Sequence, residues 1–147
     1  MKSWTREIAI NASIDQIWKL FDGTLEDMQK IMPQVVENTP VKVTEEGIGS
    51  IYRQKYKEGK RIEEYEVRTL EYENHHDIKR LKVGFTLANM FDITAYYELK
   101  RLDDDKTSLS YTSTNKALKW YIKPFLLFGG DKVVVQFLER VKKVAEA

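Results

Sequence analysis

Leu118-Lys-Trp-Tyr-Ile-Lys-Pro-Phe-Leu-Leu-Phe-Gly-Gly-Asp-Lys-Val-Val-Val-Gln-Phe-Leu-Glu-Arg-Val-Lys-Lys-Val-Ala-Glu-Ala147 closes the chain, and its reading decides the fold. It reads as one long helical segment, more apolar than a surface helix needs. The first half carries Leu118, Trp120, Tyr121, Ile122, Phe125, Leu126, Leu127 and Phe128 on too many sides for a single buried stripe. The second half sets Val133, Val134, Phe137, Leu138, Val141 and Val144 at helical spacing, the pattern of a core anchor. Pro124 and the pair Gly129-Gly130 should kink or break the segment, with Asp131 placed to cap its second half. The glycine pair reads equally as a close-packing point. A long helix that follows a run of strands needs a concave sheet to cover it, and that geometry leaves room for a cavity.

The chain before it supplies such a sheet. Trp4 to Asn11 reads as a first strand around Ile8 and Ile10. Ser13 with Gln16 forms a capping-box pattern for a helix whose apolar face is Ile14, Ile17, Trp18 and Phe21, stopping at Asp22-Gly23. A second short helix spans about Leu25 to Met32 and ends at Pro33. Six further strands follow: Val35 to Glu45, Ile48 to Lys57, Arg61 to Tyr72, Ile78 to Leu87, Phe91 to Leu102 and Thr107 to Thr114. Pro40 confines the first of these to an edge or a bulge. Glu58-Gly59-Lys60 reads as a hairpin turn. Short turns between consecutive strands imply antiparallel hairpins, hence an α+β fold.

Strand phase divides the two faces. Leu81, Val83, Phe85 and Leu87 should point inward, with Phe91, Ile93, Ala95, Tyr97 and Leu99. Tyr52, Gln54 and Tyr56 share that face, as do Tyr65 and Val67, and Leu109 and Tyr111. The inner face is therefore rich in tyrosine.

Composition narrows the function classes. The 147 residues are enough for one domain with a real core, expected to span the whole chain. Formal net charge is +1, from 24 basic and 23 acidic residues, which argues against a dedicated nucleic-acid binder. Cysteine is absent, which removes disulfides, thiol catalysis and thiolate metal sites and fits a reducing compartment. No apolar signal core opens the chain, and no run is long enough to span a bilayer. The expected location is the cytoplasm.

The segment Arg6-Glu-Ile-Ala-Ile-Asn-Ala-Ser-Ile-Asp-Gln-Ile-Trp-Lys-Leu-Phe21 resembles the first strand and capped helix of the SRPBCC superfamily. That superfamily includes START lipid-transfer domains, birch-pollen-allergen-like proteins and polyketide cyclase-like proteins. Phe137-Leu-Glu-Arg-Val-Lys-Lys-Val-Ala-Glu146 is similar to its C-terminal helix ending, and the strand count agrees. The resemblance implies a helix-grip fold: a curved seven-stranded antiparallel sheet around the long C-terminal helix, with two short helices after the first strand. It also implies an apolar cavity between sheet and helix, but no shared motif fixes the activity.

Chemistry-bearing residues are sparse. His75 and His76 are the only histidines and sit together in a turn, where they read as a solvent-exposed pair. With no cysteine and no second histidine cluster, no metal is expected. The hydroxyls of Thr107 to Thr114 lack a nearby base in sequence and read as a solvent face. Glu63 should face inward with Tyr65 and Val67, as a ligand anchor or as a carboxylate paired with Arg53 or Arg61. Inner-face tyrosines either offer hydroxyls to a ligand or fill the core.

The expected ligand-binding set is Tyr52, Gln54, Tyr56, Glu63, Tyr65, Val67, Leu81, Val83, Phe85, Phe91, Ile93, Ala95, Tyr97, Tyr111, Tyr121 and Phe125. The expected partner is a hydrophobic or amphipathic small molecule or lipid, with no cofactor, no catalytic set and no nucleic acid. Leu87, Met90 and Phe91 beside Trp120, Tyr121 and Phe125 would form an apolar lip that admits the ligand or touches a membrane surface. Two alternatives stand beside binding. One is a polyketide cyclase or dehydrase-like enzyme using Glu63, Tyr65 or Arg53 for proton transfer. The other is a protein-interaction domain resembling the chaperone-activator branch.

Overall fold

The computed structural model describes residues 1–87, 91–118 and 130–147. Element order is β1 (Lys2–Ile10), α1 (Ile14–Asp22), α2 (Leu25–Ile31), β2 (Val35–Lys42), β3 (Ile51–Glu58), β4 (Arg61–Asn74), β5 (Ile78–Leu87), β6 (Phe91–Asp103), β7 (Lys106–Ala117) and α3 (Asp131–Ala145). The strands form one seven-stranded antiparallel sheet in the order β1-β7-β6-β5-β4-β3-β2. This is the α+β helix-grip arrangement that the resemblance implied. β2 follows α1 and α2 to the opposite edge of the sheet from β1. There Pro40 lacks a ladder donor without cost, beside a register shift at Pro40/Lys42.

Local signals explain the element ends. Ser13 accepts from the Gln16 backbone while the Gln16 side chain accepts from the Ser13 N–H, so the expected capping box is present. Thr24 and Asp27 make a second box at α2. β2 stops and β3 starts three residues short of the sequence reading, because the loop between them has its own hydrogen bonds. Thr44 N–H donates to Ser50 Oγ at 3.1 Å, Thr44 Oγ1 donates to the Ile48 carbonyl at 2.7 Å, and Gly49 N–H donates to the Thr69 carbonyl at 2.8 Å. Gly47, at φ 84°, makes the bend. Glu58 and Arg61 pair across the expected hairpin turn.

The core sits where three helices meet one half of the sheet. Ile10, Ile14, Ile17, Trp18, Phe21 and Ile31 pack with Leu99, Leu109, Val134, Leu138 and Val141. α3 opens with Gly130 as its cap residue and no side-chain cap bond. Asp131 is therefore the first helical residue rather than the expected cap, and its carboxylate pairs with Arg6 of β1 at 2.7 Å. An acid in the first turn still suits the helix dipole. Lys79 is a buried charge unforeseen in the sequence; its ammonium bonds Asn74, lies 3.3 Å from Asp15 and stands 5.9 Å from the Trp18 ring.

Of the helical stretch expected from Leu118, residues 119–129 lie outside the described residues, so the kink at Pro124 and Tyr121 and Phe125 do too. Leu118 itself is exposed in a bend after β7. Met90 and Trp120 of the expected lip are likewise outside, while Phe91 is buried, 3% exposed, opposite Ala117. Among the described residues no helix is long and apolar enough to cross a membrane.

Candidate ligand-binding site

A cavity of about 340 Å³ lies between the inner face of the sheet and α3. Ligand pockets run from about 300 to 1,000 Å³, so this one suits a compact molecule. Alternation along β3 to β7 sets its sheet wall. Gln54 and Tyr56 come from β3, Tyr65 and Val67 from β4, Leu81, Val83 and Phe85 from β5, Ile93, Ala95 and Tyr97 from β6, and Tyr111 from β7. These eleven belong to the expected set, and the register places them on one face: Gln54 opposite Tyr65, Val83 opposite Ala95, Tyr97 opposite Tyr111.

Three other expected residues that the structure describes, Tyr52, Glu63 and Phe91, are outside the lining. Tyr52 is on the same face opposite Val67, beside Tyr72, and outside the cavity lining. Glu63 has the inward phase expected for it, yet its carboxylate is taken by Arg61 at the hairpin end of the sheet. Phe91 is buried beyond Ile93 at the other hairpin end. Arg53 points to the outer face and pairs with Glu64 at 2.9 Å, which separates it from the proton-transfer role considered for it. His75 and His76 are exposed in their turn, as expected.

Eight lining residues were not in the expected set: Phe21, Met32, Gln34, Val35, Val133, Gln136, Phe137 and Arg140. Four of them are on α3 at the spacing i, i+3, i+4, i+7, which places them on one helix face. The second half of the C-terminal segment is thus both core anchor and cavity wall. Val134, Leu138 and Val141 hold the core while the next stripe faces the void. The sequence reading places Val133 and Phe137 in the core anchor, and the rotation of α3 against the sheet decides that their face also lines the void.

The cavity floor is aromatic. Phe21 and Tyr97 stand 4.7 Å apart by ring centroid, Tyr97 and Tyr111 4.9 Å, and Phe137 lies 5.1 Å from Tyr111 and 5.6 Å from Tyr97. The hydroxyls of Tyr97, Tyr111 and Ser113 come together within this floor and interact with one another. Burial pushes the Tyr97 phenol well above its ordinary pKa, and its neighbour Tyr111 adds to the shift. Burial also raises Tyr111, against the pull of its hydrogen bonds with Ser113 and Tyr97. Both phenols therefore stay protonated at neutral pH and present hydroxyls rather than charge. Tyr65 and Phe85, 5.4 Å apart, form a second aromatic pair on β4 and β5.

Among the described residues one charge lines the void. The Arg140 guanidinium reaches from α3 to the carbonyl of Ile31 at the end of α2, donating from Nη1 at 3.1 Å. Among the described residues, no group of three or more histidine, aspartate or glutamate side chains is placed to hold a metal ion. The geometry offers apolar contact, aromatic faces, and a few hydroxyl, amide and guanidinium donors.

No protein-family model matches the chain, and no curated protein matches it in sequence. Solved structures do match its fold along nearly its whole length. A START superfamily protein from Mycobacterium smegmatis superposes with a TM-score of 0.69 at 14% identity, covering 98% of this chain and 94% of the other. Ara h 8.0201 gives a TM-score of 0.70 at 13% identity, covering 99% and 95%. Norcoclaurine synthase from Thalictrum flavum, solved with dopamine and hydroxybenzaldehyde, gives 0.63 at 15% identity, covering 97% and 85%. Identities this low speak for architecture alone. The chain has the helix-grip fold that these structures share, a seven-stranded antiparallel sheet with a C-terminal helix across it.

Proposed function

We propose that this protein binds a hydrophobic or amphipathic small molecule in the cavity between α3 and the sheet, and carries or senses it. The observation that supports this reading is the void itself. A hollow of about 340 Å³ bordered by four aromatic rings falls within the size range of small-molecule pockets. Its wall is mainly apolar, with the hydroxyls of Tyr56, Tyr65, Tyr97 and Tyr111 and the amides of Gln34 and Gln54 set into it. Such a wall suits a molecule with an apolar body and at least one polar end. The eleven inner-face residues of β3 to β7 are the proposed contacts, joined by Phe21, Val133 and Phe137. The volume favours a single chain or a small ring system over a two-chain phospholipid. In this reading the protein works in the cytoplasm, in keeping with a sequence without cysteine. The cyclase-like alternative gains little, since only Tyr65 of its three proton-transfer candidates lines the cavity.

Native mass spectrometry of the purified protein, followed by organic extraction, tests the reading. A passenger of small-molecule mass that is lost on denaturation is expected. A protein that stays free of any passenger, and takes up none from a panel of single-chain and aromatic compounds, would overturn it.

A further inference from the structure

Arg140 is the only charged residue among the described residues that line the cavity. It is half-buried on the helix face that also presents Val133, Gln136 and Phe137. Its one bonded partner is a neutral carbonyl, that of Ile31, and among the described residues no carboxylate pairs with it. The nearest candidate acid by sequence expectation, Glu63, is held by Arg61. A guanidinium has five N–H donors in a planar fork, so one bond to Ile31 leaves most of them unused. A cation partly withdrawn from water at the border of an apolar space gains strongly from an anion placed within its reach.

Structural bracing of α2 accounts for the Ile31 bond alone. It does not by itself account for Arg140 standing in the lining of the cavity. The remaining polar groups of the lining are neutral: glutamine amides, and phenols of which Tyr97 and Tyr111 are held protonated by burial. Among the described residues the lining therefore has one cation and no anion, with an apolar wall of Leu81, Val83, Phe85 and Ile93 on β5 and β6.

We infer that the ligand is a compact amphipathic acid whose carboxylate is bound by Arg140 while its apolar body lies along β5 and β6. This rests on the cavity being a binding site, as proposed above, and adds the charge and orientation of what it takes. Arg140 would act as the residue that selects an acid over the neutral compound of the same shape.

A displacement titration separates the two claims. The neutral fluorophore N-phenyl-1-naphthylamine reports cavity binding without needing a charge partner. Decanoic acid and decanol then compete for it in the wild-type protein and in Arg140→Gln and Arg140→Lys, each checked for an unchanged far-UV spectrum. The expected result is fluorophore binding in all three proteins and tighter displacement by the acid in wild type, by tenfold or more. That preference should vanish in Arg140→Gln, with decanol unaffected, and return in Arg140→Lys. Equal affinity for acid and alcohol in wild type would overturn the inference while leaving the binding function standing. So would an acid preference that survives in Arg140→Gln or is absent from Arg140→Lys. Failure of the fluorophore and both competitors to bind wild type would overturn the binding function and this inference together.

Discussion

Replacing Phe137 with alanine should cost about 3 kcal/mol of folding stability. Phe137 is 9% exposed, and its ring lies 5.1 Å from Tyr111, 5.6 Å from Tyr97 and 6.1 Å from Phe21 by centroid. Burying a side chain of this size stabilises by about 1.5–3 kcal/mol. Each aromatic pair adds about 0.5–1.5 kcal/mol, though three pairs that share one ring do not add in full. Phe137 also borders a void of about 340 Å³, so alanine widens an existing space and spares part of the cavity penalty. These considerations place the loss near the lower end of the ~3–5 kcal/mol range for such truncations. Guanidinium denaturation followed by circular dichroism reads it as a lower midpoint at unchanged slope. Phe137→Leu keeps most of the apolar volume and should lose less than about 1.5 kcal/mol. A Phe137→Ala protein within 1 kcal/mol of wild type would refute the reasoning, because it would mean that α3 is not seated on β6 and β7 through this ring.

Alkali should unfold the protein through its buried phenols. Tyr72 is pushed up to about 12 by burial and by its 2.6 Å hydrogen bond to Asp22, and Tyr97 and Tyr111 are raised by burial. Unfolded phenols ionise near pH ~10, so the folded state binds more protons above that point. The stabilisation is fully present below about pH 10 and is lost as pH rises toward the folded values. Ultraviolet titration should show Tyr97 and Tyr111 ionising only as the chain unfolds; reversible ionisation of all eight tyrosines near ~10 would contradict this. Gly47→Ala should be more destabilising than Gly59→Ala. Both positions have positive φ, which costs alanine about 1–2 kcal/mol. At Gly47 a Cβ would also meet the Tyr72 ring at 2.6 Å, adding about 1–3 kcal/mol, whereas nothing lies within 4 Å at Gly59. Equal thermal shifts for the two variants would contradict the placement of Tyr72 over the loop.

Period-2 alternation made the sheet wall legible in the sequence. Side chains on a strand have only two directions, so one correct phase assigns a whole strand, as it did for Val83 and Phe85 or Ala95 and Tyr97. The helix wall was less legible. Val133, Gln136 and Arg140 fall beside the core stripe, and their role depends on how α3 is rotated against the sheet, which packing decides. Tyr52, Glu63 and Phe91 show the limit of phase: it fixes the face and says nothing of position along the strand. Each faces inward near a strand end, where the cavity does not reach. Lys79 escaped notice because its burial depends on Trp18 and Asp15 of α1, more than sixty residues away in sequence.

The central claim is that the void between α3 and the sheet is a binding site. The most direct measurement is a fluorescence titration of wild type and Ala95→Phe with N-phenyl-1-naphthylamine. Ala95 is 7% exposed on the cavity wall, so a ring built there projects into the void. Saturable one-to-one binding by wild type, weakened at least tenfold in a folded Ala95→Phe protein, is the expected result. Equal binding by the two proteins would contradict the claim.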